Sequence, residues 1–194
     1  MQFAGLNMRA IDRLLQRWRA RVAGRWVPAG ARVLDIGCFQ GEFLDGLGDR
    51  IAPSVGMDPL AAACNGSRHA LLQKRFEDQL PFDDGTFDVI AMLATFEHIQ
   101  GTAALARECA RVLRPEGVVV ITVPSPRVDT IVETLVRFRL ADGMSLGEHH
   151  GYNPSETPAL FDAAGCALVH RQRFQLGLNY LFVFRKSASD CLEP

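Results

Sequence analysis

The chain has 194 residues, an apolar fraction of 48% and a formal net charge of −1. That suffices for one domain of ordinary size with a substantial core, and it gives no global reason to expect nucleic acid or an acidic partner. No apolar run reaches bilayer length, no signal-peptide core is visible, and the five cysteines (38, 64, 109, 166 and 191) are scattered without metal or disulfide spacing, so a reduced chain in the cytoplasm is expected.

Residues 7–25 predict an amphipathic helix, the main element of an N-terminal helical unit over 1–28. Ile11, Leu14, Leu15, Trp18 and Val22 recur at helical spacing, and Asn7 can cap the start. Arg9, Arg13, Arg17, Arg19, Arg21 and Arg25 fall on the other face. These six arginines fit either a solvated face or contact with an anionic surface, lipid or nucleic acid.

Val33, Leu34 and Ile36 form a short run typical of a strand covered on both faces. Gly37 and Gly41 bracket a tight turn, and a helix is expected over 41–48, its first N–H groups free for a ligand. The next apolar run, 53–57, ends on Asp58. Strand, glycine loop, helix, strand and terminal acid make the nucleotide-side half of a Rossmann-like unit, with an acid suited to ribose hydroxyls. The G-x-G-x-x-G fingerprint of nicotinamide dinucleotides is absent, because Phe39 and Gly41 follow Gly37. Further helices near 59–64 and 102–113 and strands near 70–74, 86–93 and 117–123 predict a parallel sheet with right-handed crossovers. Residues 127–140 have both apolar and basic helical faces, and 141–151 are turn-rich. Asn153 can cap a helix that starts at Pro154 and closes at Gly165. Strands near 167–174 and 179–185 predict a hairpin at the sheet edge, and 187–194 a tail.

Asp35, Gly37 and Gly41 match three of the four fixed positions of D-x-G-x-G-x-G, with Phe39 at the middle glycine. This resembles motif I of class I S-adenosylmethionine-dependent methyltransferases. More segments resemble the same family in order: Leu80-Pro81-Phe82 through Phe87-Asp88-Val89-Ile90; Phe96-Glu97-His98-Ile99; Leu113-Arg114-Pro115-Glu116-Gly117-Val118, with Glu116 at a usual glycine; and Tyr152-Asn153-Pro154-Ser155-Glu156 with Ala163-Ala164-Gly165-Cys166. The resemblance covers roughly residues 30–186 and is closest to the small single-domain branch often called type 11.

The resemblance implies an α/β fold: a Rossmann-like, seven-stranded, mostly parallel sheet with a C-terminal antiparallel hairpin strand and helices on both faces, one domain over 1–194. It implies S-adenosylmethionine as cofactor and in-line methyl transfer to a small-molecule acceptor. Two alternatives stay open: a non-catalytic binding protein of this fold, or a methyltransferase acting on a lipid or nucleic-acid surface. The loop Gly37, Cys38, Phe39, Gln40, Gly41 is expected under the methionine and ribose, with Asp35 holding the loop or accepting from the cofactor's amino group. Asp58 is expected on the ribose hydroxyls, Met57 and Leu60 beside adenine, Glu77 and Asp78 at the adenine edge, and Leu93 in the same cofactor set. His98 is the candidate general base, or else a brace for the Glu97 loop. Residues 124–151 are expected to form a lid over the acceptor. His149, His150 and Tyr152 are candidate substrate contacts or solvated groups, and no metal site is expected.

Overall fold

In the computed structural model, which describes residues 10–62, 68–125 and 153–188, the run Val33–Ile36 forms strand β1, buried at every position. Parallel strands flank it: β2 (Val55–Asp58) on one side and β4 (Phe87–Leu93) on the other, with β3 (Ala70–Gln73) beyond β2 and β5 (Leu113–Pro124) beyond β4. Strands β6 (Cys166–Phe174) and β7 (Asn179–Lys186) form a hairpin, and β7 runs antiparallel between β5 and β6. The order is β3-β2-β1-β4-β5-β7-β6, seven strands in one sheet.

Strand alternation sends successive side chains to opposite faces and so builds two cores. Leu34, Ile36, Ile90, Met92, Ile121 and Phe182 face α3 (Thr102–Val112) and α4 (Thr157–Asp162). Val33, Val89, Ala91, Val120 and Val183 face α1 (Ala10–Gly24) and α2 (Glu42–Leu47). Each large apolar side chain buried this way contributes about 1.5–3 kcal/mol before entropy is charged against it.

Four elements depart from the sequence expectation. The inward stripe of α1 is Leu15, Arg19, Val22 and Ala23, while Leu14 and Trp18 are 62% and 42% exposed. The helix turns this way because the Leu15 carbonyl accepts from Gln175 Nε2 at 2.6 Å and Arg19 faces Glu97. The helix expected over 59–64 is a turn in its described part: Asp58 takes the Leu60 N–H on its side chain (2.7 Å) and the Ala61 N–H on its carbonyl (3.2 Å), closing the chain locally. Strand β5 starts at Leu113, directly after α3, rather than at 117; Phe87 pairs with Leu113 and Val89 with Val118, so Arg114–Gly117 bulge opposite Asp88. Helix α4 starts at Thr157 rather than Pro154, because Asn153 Oδ1 accepts the Ser155 N–H (3.1 Å) and closes a turn ahead of it.

Of the expected lid over 124–151, Pro124 ends β5 and the Ser125 N–H donates to Leu178 O at 2.7 Å. The remainder, with His149, His150 and Tyr152, lies outside the described residues, as do Asn7, Arg9 and residues 189–194 of the expected tail. Among the described residues no helix is long and apolar enough to cross a membrane.

Candidate functional site

The loop after β1 is held by contacts only small or left-handed residues permit. Gly37, at φ 81°, donates its N–H to Met57 O at 2.8 Å, and a Cβ there would lie 2.1 Å from Thr95 Oγ1. The loop therefore lies flat against the segment that follows β4. Cys38 tucks inward, 5% exposed, its Sγ 2.6 Å from where a Cβ on Gly56 would stand. Burial first, then the Asp35 and Asp58 charges, push its thiol up to about 12. Phe39 adopts φ 49° where the family pattern has glycine; its ring turns out to solvent and its N–H donates to Asp58 Oδ2 at 3.0 Å. Gly41, at φ 87°, closes the loop with an N–H···O bond to Cys38 of 2.8 Å. Helix α2 then runs only six residues, so the loop backbone rather than a helix dipole shapes this end of the site.

Carboxyl groups collect here. Asp35 is 2% exposed, and burial, with repulsion from Asp58 and then Glu42, raises its carboxyl to about 8. Both Asp58 oxygens already accept a backbone N–H, from Phe39 and Leu60.

The other half of the site follows β4. Ala94 turns left-handed (φ 56°), its N–H bonded to Thr122 O at 2.8 Å, and a 3-10 turn spans Phe96–His98. Phe96 drops into the core, Glu97 is 4% exposed, and His98 is exposed at the carboxyl edge of the sheet. Burial raises Glu97 to about 7, while its own backbone N–H and the Arg19 guanidinium pull the other way.

Asp35, Gly37, Cys38, Phe39, Gly41 and Asp58 thus converge as expected. Leu93 is half-buried at the end of β4, against the core. Met57 is a correction: its side chain is 2% exposed inside the core and offers no adenine wall, and only its carbonyl serves the site. Glu77 and Asp78 are exposed on the stretch between the core anchors Phe76 and Leu80, with no bond to the loop. Arg19 was expected on the polar face of the helix, solvated or against an anionic surface; it points inward, while Arg13, Arg17, Arg21 and Arg25 are exposed. Thr95, Gln175 and Asn179 carry no motif that would have selected them. Among the described residues no group of three or more His, Cys, Asp or Glu could hold a metal ion.

Residues 8–171 match the family model Methyltransf_23, a methyltransferase domain. A Mycolicibacterium smegmatis protein named a probable S-adenosylmethionine-dependent methyltransferase is 31% identical over 150 residues, covering 72% of this chain and 58% of that protein. A ubiquinone biosynthesis O-methyltransferase of Alkalilimnicola ehrlichii is 32% identical over 102 residues, covering 48% of this chain and 41% of that protein. The chain therefore spans about half the length of the curated relatives it matches. An S-adenosylmethionine-dependent methyltransferase of Mesorhizobium loti shares the fold (TM-score 0.66, 18% identity, 86% of this chain and 96% of that one). So does the [4+2]-cyclase SpnF (TM-score 0.71, 14% identity, 95% and 85%).

The residues fit the cofactor that this family implies. A ligand with an ammonium, a sulfonium and a ribose diol brings positive charge to a cluster of carboxyl groups and hydroxyls to Asp58. Each Asp58 oxygen, engaged by one amide, keeps a lone pair for a hydroxyl. A glycine loop laid flat against Thr95, a carboxylate-rich mouth and a sheet order with β7 reversed thus agree with the sequence match, and the chain belongs to the methyltransferase domain family, with S-adenosylmethionine as its cofactor.

Proposed function

We propose that the protein transfers a methyl group to a small-molecule acceptor by in-line displacement. The observation that carries the reading is Asp58, which closes β2 and grips the loop after β1 while keeping acceptor capacity for a diol. Bound S-adenosylmethionine supplies a methyl already activated on sulfur. The chain's own task is to align the acceptor's nucleophilic atom behind that methyl and to exclude water. His98 stands at the carboxyl edge of the sheet, where such folds bind ligands, and serves as the base for an acceptor that arrives protonated. Residues 124–151 are proposed, on sequence grounds, as the lid over the acceptor, with His149, His150 and Tyr152 as its contacts. The buried free thiols Cys38, Cys109 and Cys166 support a reducing cytoplasm as the compartment.

The test has two arms. Calorimetry should give heat on adding S-adenosylmethionine, and no heat at millimolar cofactor with the protein folded sinks the reading. Methyl-labelled cofactor incubated with a bacterial extract should then label the small-molecule fraction. Label found only in lipid, protein or nucleic acid overturns the acceptor class.

A second reading rests on α1, whose exposed Leu14 and Trp18 lie beside the exposed Arg13, Arg17 and Arg21. Apolar and cationic stripes side by side suit an anionic lipid surface. Co-sedimentation with anionic but not zwitterionic vesicles would favour it.

A further inference from the structure

Among the described residues, four buried polar atoms have no hydrogen-bond partner: Arg19 Nε, Glu97 Oε2, Ser125 Oγ and Asn179 Oδ1. They come from α1, the turn after β4, the end of β5 and the start of β7, distant in sequence and joined at one edge of the sheet. Arg19 faces Glu97. One turn earlier on the same helix face, the Leu15 carbonyl accepts from Gln175 Nε2 at 2.6 Å. Gln175 Oε1 in turn accepts from Asn179 Nδ2 at 2.5 Å. Asn179 pairs across the ladder with Pro124, the neighbour of Ser125. The orphan atoms therefore belong to one connected cluster at the carboxyl edge of the sheet, beside His98. Glu97, Ser125 and Asn179 are 4%, 4% and 6% exposed.

Buried polar atoms are almost always satisfied, and one left without a partner costs about 1–3 kcal/mol. Four together call for a ligand or ordered water, since the described residues supply no partner. Their chemistry is lopsided: three are oxygens and one is a guanidinium nitrogen. The amide oxygen of Asn179 only accepts, and Glu97 accepts at both oxygens once the pH exceeds about 7.

We propose that this cluster recognises the methyl acceptor and that the acceptor is a small molecule with at least two hydroxyl groups, whose hydrogens go to Glu97, Ser125 and Asn179. Arg19 draws Glu97 toward its charged form against burial and donates through Nε to an oxygen of the same ligand. The proposal rests on the methyl-transfer reading above, but it concerns the side of the site away from the Gly37–Gly41 loop.

The test uses three probes of nearly one shape, catechol, its monomethyl ether guaiacol and its dimethyl ether veratrole, which offer two, one and no hydroxyl donors. Binding is measured by calorimetry in mildly alkaline buffer on the full chain saturated with S-adenosylhomocysteine. Affinity should fall about tenfold for each hydroxyl lost, because a site built for donors rejects analogues that lack them. Ser125→Ala and Glu97→Gln should each shrink that discrimination while S-adenosylhomocysteine binds as before, which also reports that the variants fold. Three alternatives overturn the proposal: veratrole binding as tightly as catechol, no probe binding at millimolar concentration, or full discrimination surviving both substitutions. Failure of S-adenosylhomocysteine to bind the unaltered protein is a different result, and it overturns the methyl-transfer reading.

Discussion

The backbone N–H of Phe39 donates to Asp58 Oδ2 across 3.0 Å, so the acid that ends β2 also ties down the middle of the loop after β1. Asp58→Ala should weaken S-adenosylmethionine binding by about 1–3 kcal/mol, the scale for losing a hydrogen-bonded charged acceptor. It should also speed hydrogen exchange at the Phe39 and Leu60 amides, which Asp58 holds. Asp58→Asn, keeping one oxygen, should fall between. Calorimetry and amide exchange on the same samples check both effects, and unchanged affinity would move the ribose contact elsewhere.

Asp35 sets a pH dependence. Its carboxyl lies near 8 in the folded protein against an ordinary 3.8. Between those values the folded chain holds a proton that the unfolded chain has lost, so stability should fall as pH rises from about 4 to about 8 and level off above. Glu97, raised from 4.5 to about 7, adds to the same slope. Urea unfolding across this range should show the decline, with Asp35→Asn flattening it; stability that rises with pH contradicts the assignment. Cofactor cations should lower the Asp35 value, so binding near neutrality should release a proton, visible as a binding heat that depends on buffer ionisation.

Glu116 sits at φ 63° where the family pattern has glycine. An L-residue there costs about 1–2 kcal/mol, partly offset by the freedom glycine adds to the unfolded chain. Glu116→Gly should therefore stabilise the protein by about 0.5–1 kcal/mol in denaturant unfolding, without touching cofactor affinity, because the bulge lies at the sheet edge opposite the site.

Gly37→Ala should do the reverse. The new Cβ would stand 2.1 Å from Thr95 Oγ1 at φ 81°. Clash and backbone strain together should cost about 2–4 kcal/mol. Adding Thr95→Gly removes the clash but not the strain, so the double variant should recover part of the loss. No recovery would mean that Thr95 is not what the loop presses against.

His98→Ala should leave cofactor affinity unchanged and lower methyl transfer by about 10²-fold if His98 is the base. Parallel loss of stability and of both ligands would make it a brace for the Glu97 turn instead. Single-turnover rates beside calorimetry separate the two.

What was legible in the chain was what local chemistry decides. Val33–Ile36 could hardly be other than a covered strand, and Asp35, Gly37, Gly41 and Asp58 meet because one β-loop-α-β unit brings them together. The Leu80–Asp84 stretch was legible as a motif, though not the reason for it: Arg111 donates to Leu80 O (3.0 Å), Phe82 O (2.8 Å) and Asp84 Oδ1 (2.7 Å) and fixes its path. Long-range choices were not legible. Helical spacing admits either Leu14–Trp18 or Leu15–Arg19–Val22 as the inner stripe, and only Glu97 and Gln175, far along the chain, decide between them. Met57 looked like a ligand wall because it precedes the acid, yet strand alternation turns it into the core. The helix expected after Asp58 failed because one side chain captured the amides that would have started it.

The Leu15–Gln175 bond joins residues 160 apart in sequence. A nascent chain has the loop after β1 and the acid of β2 well before it has Gln175 and Asn179, which arrive with the β6–β7 hairpin. Synthesis runs from the N-terminus, and contacts of such separation are slow to form. The two halves of the site are thus made at different times on the ribosome, and Leu15 of α1 waits for a partner made 160 residues later.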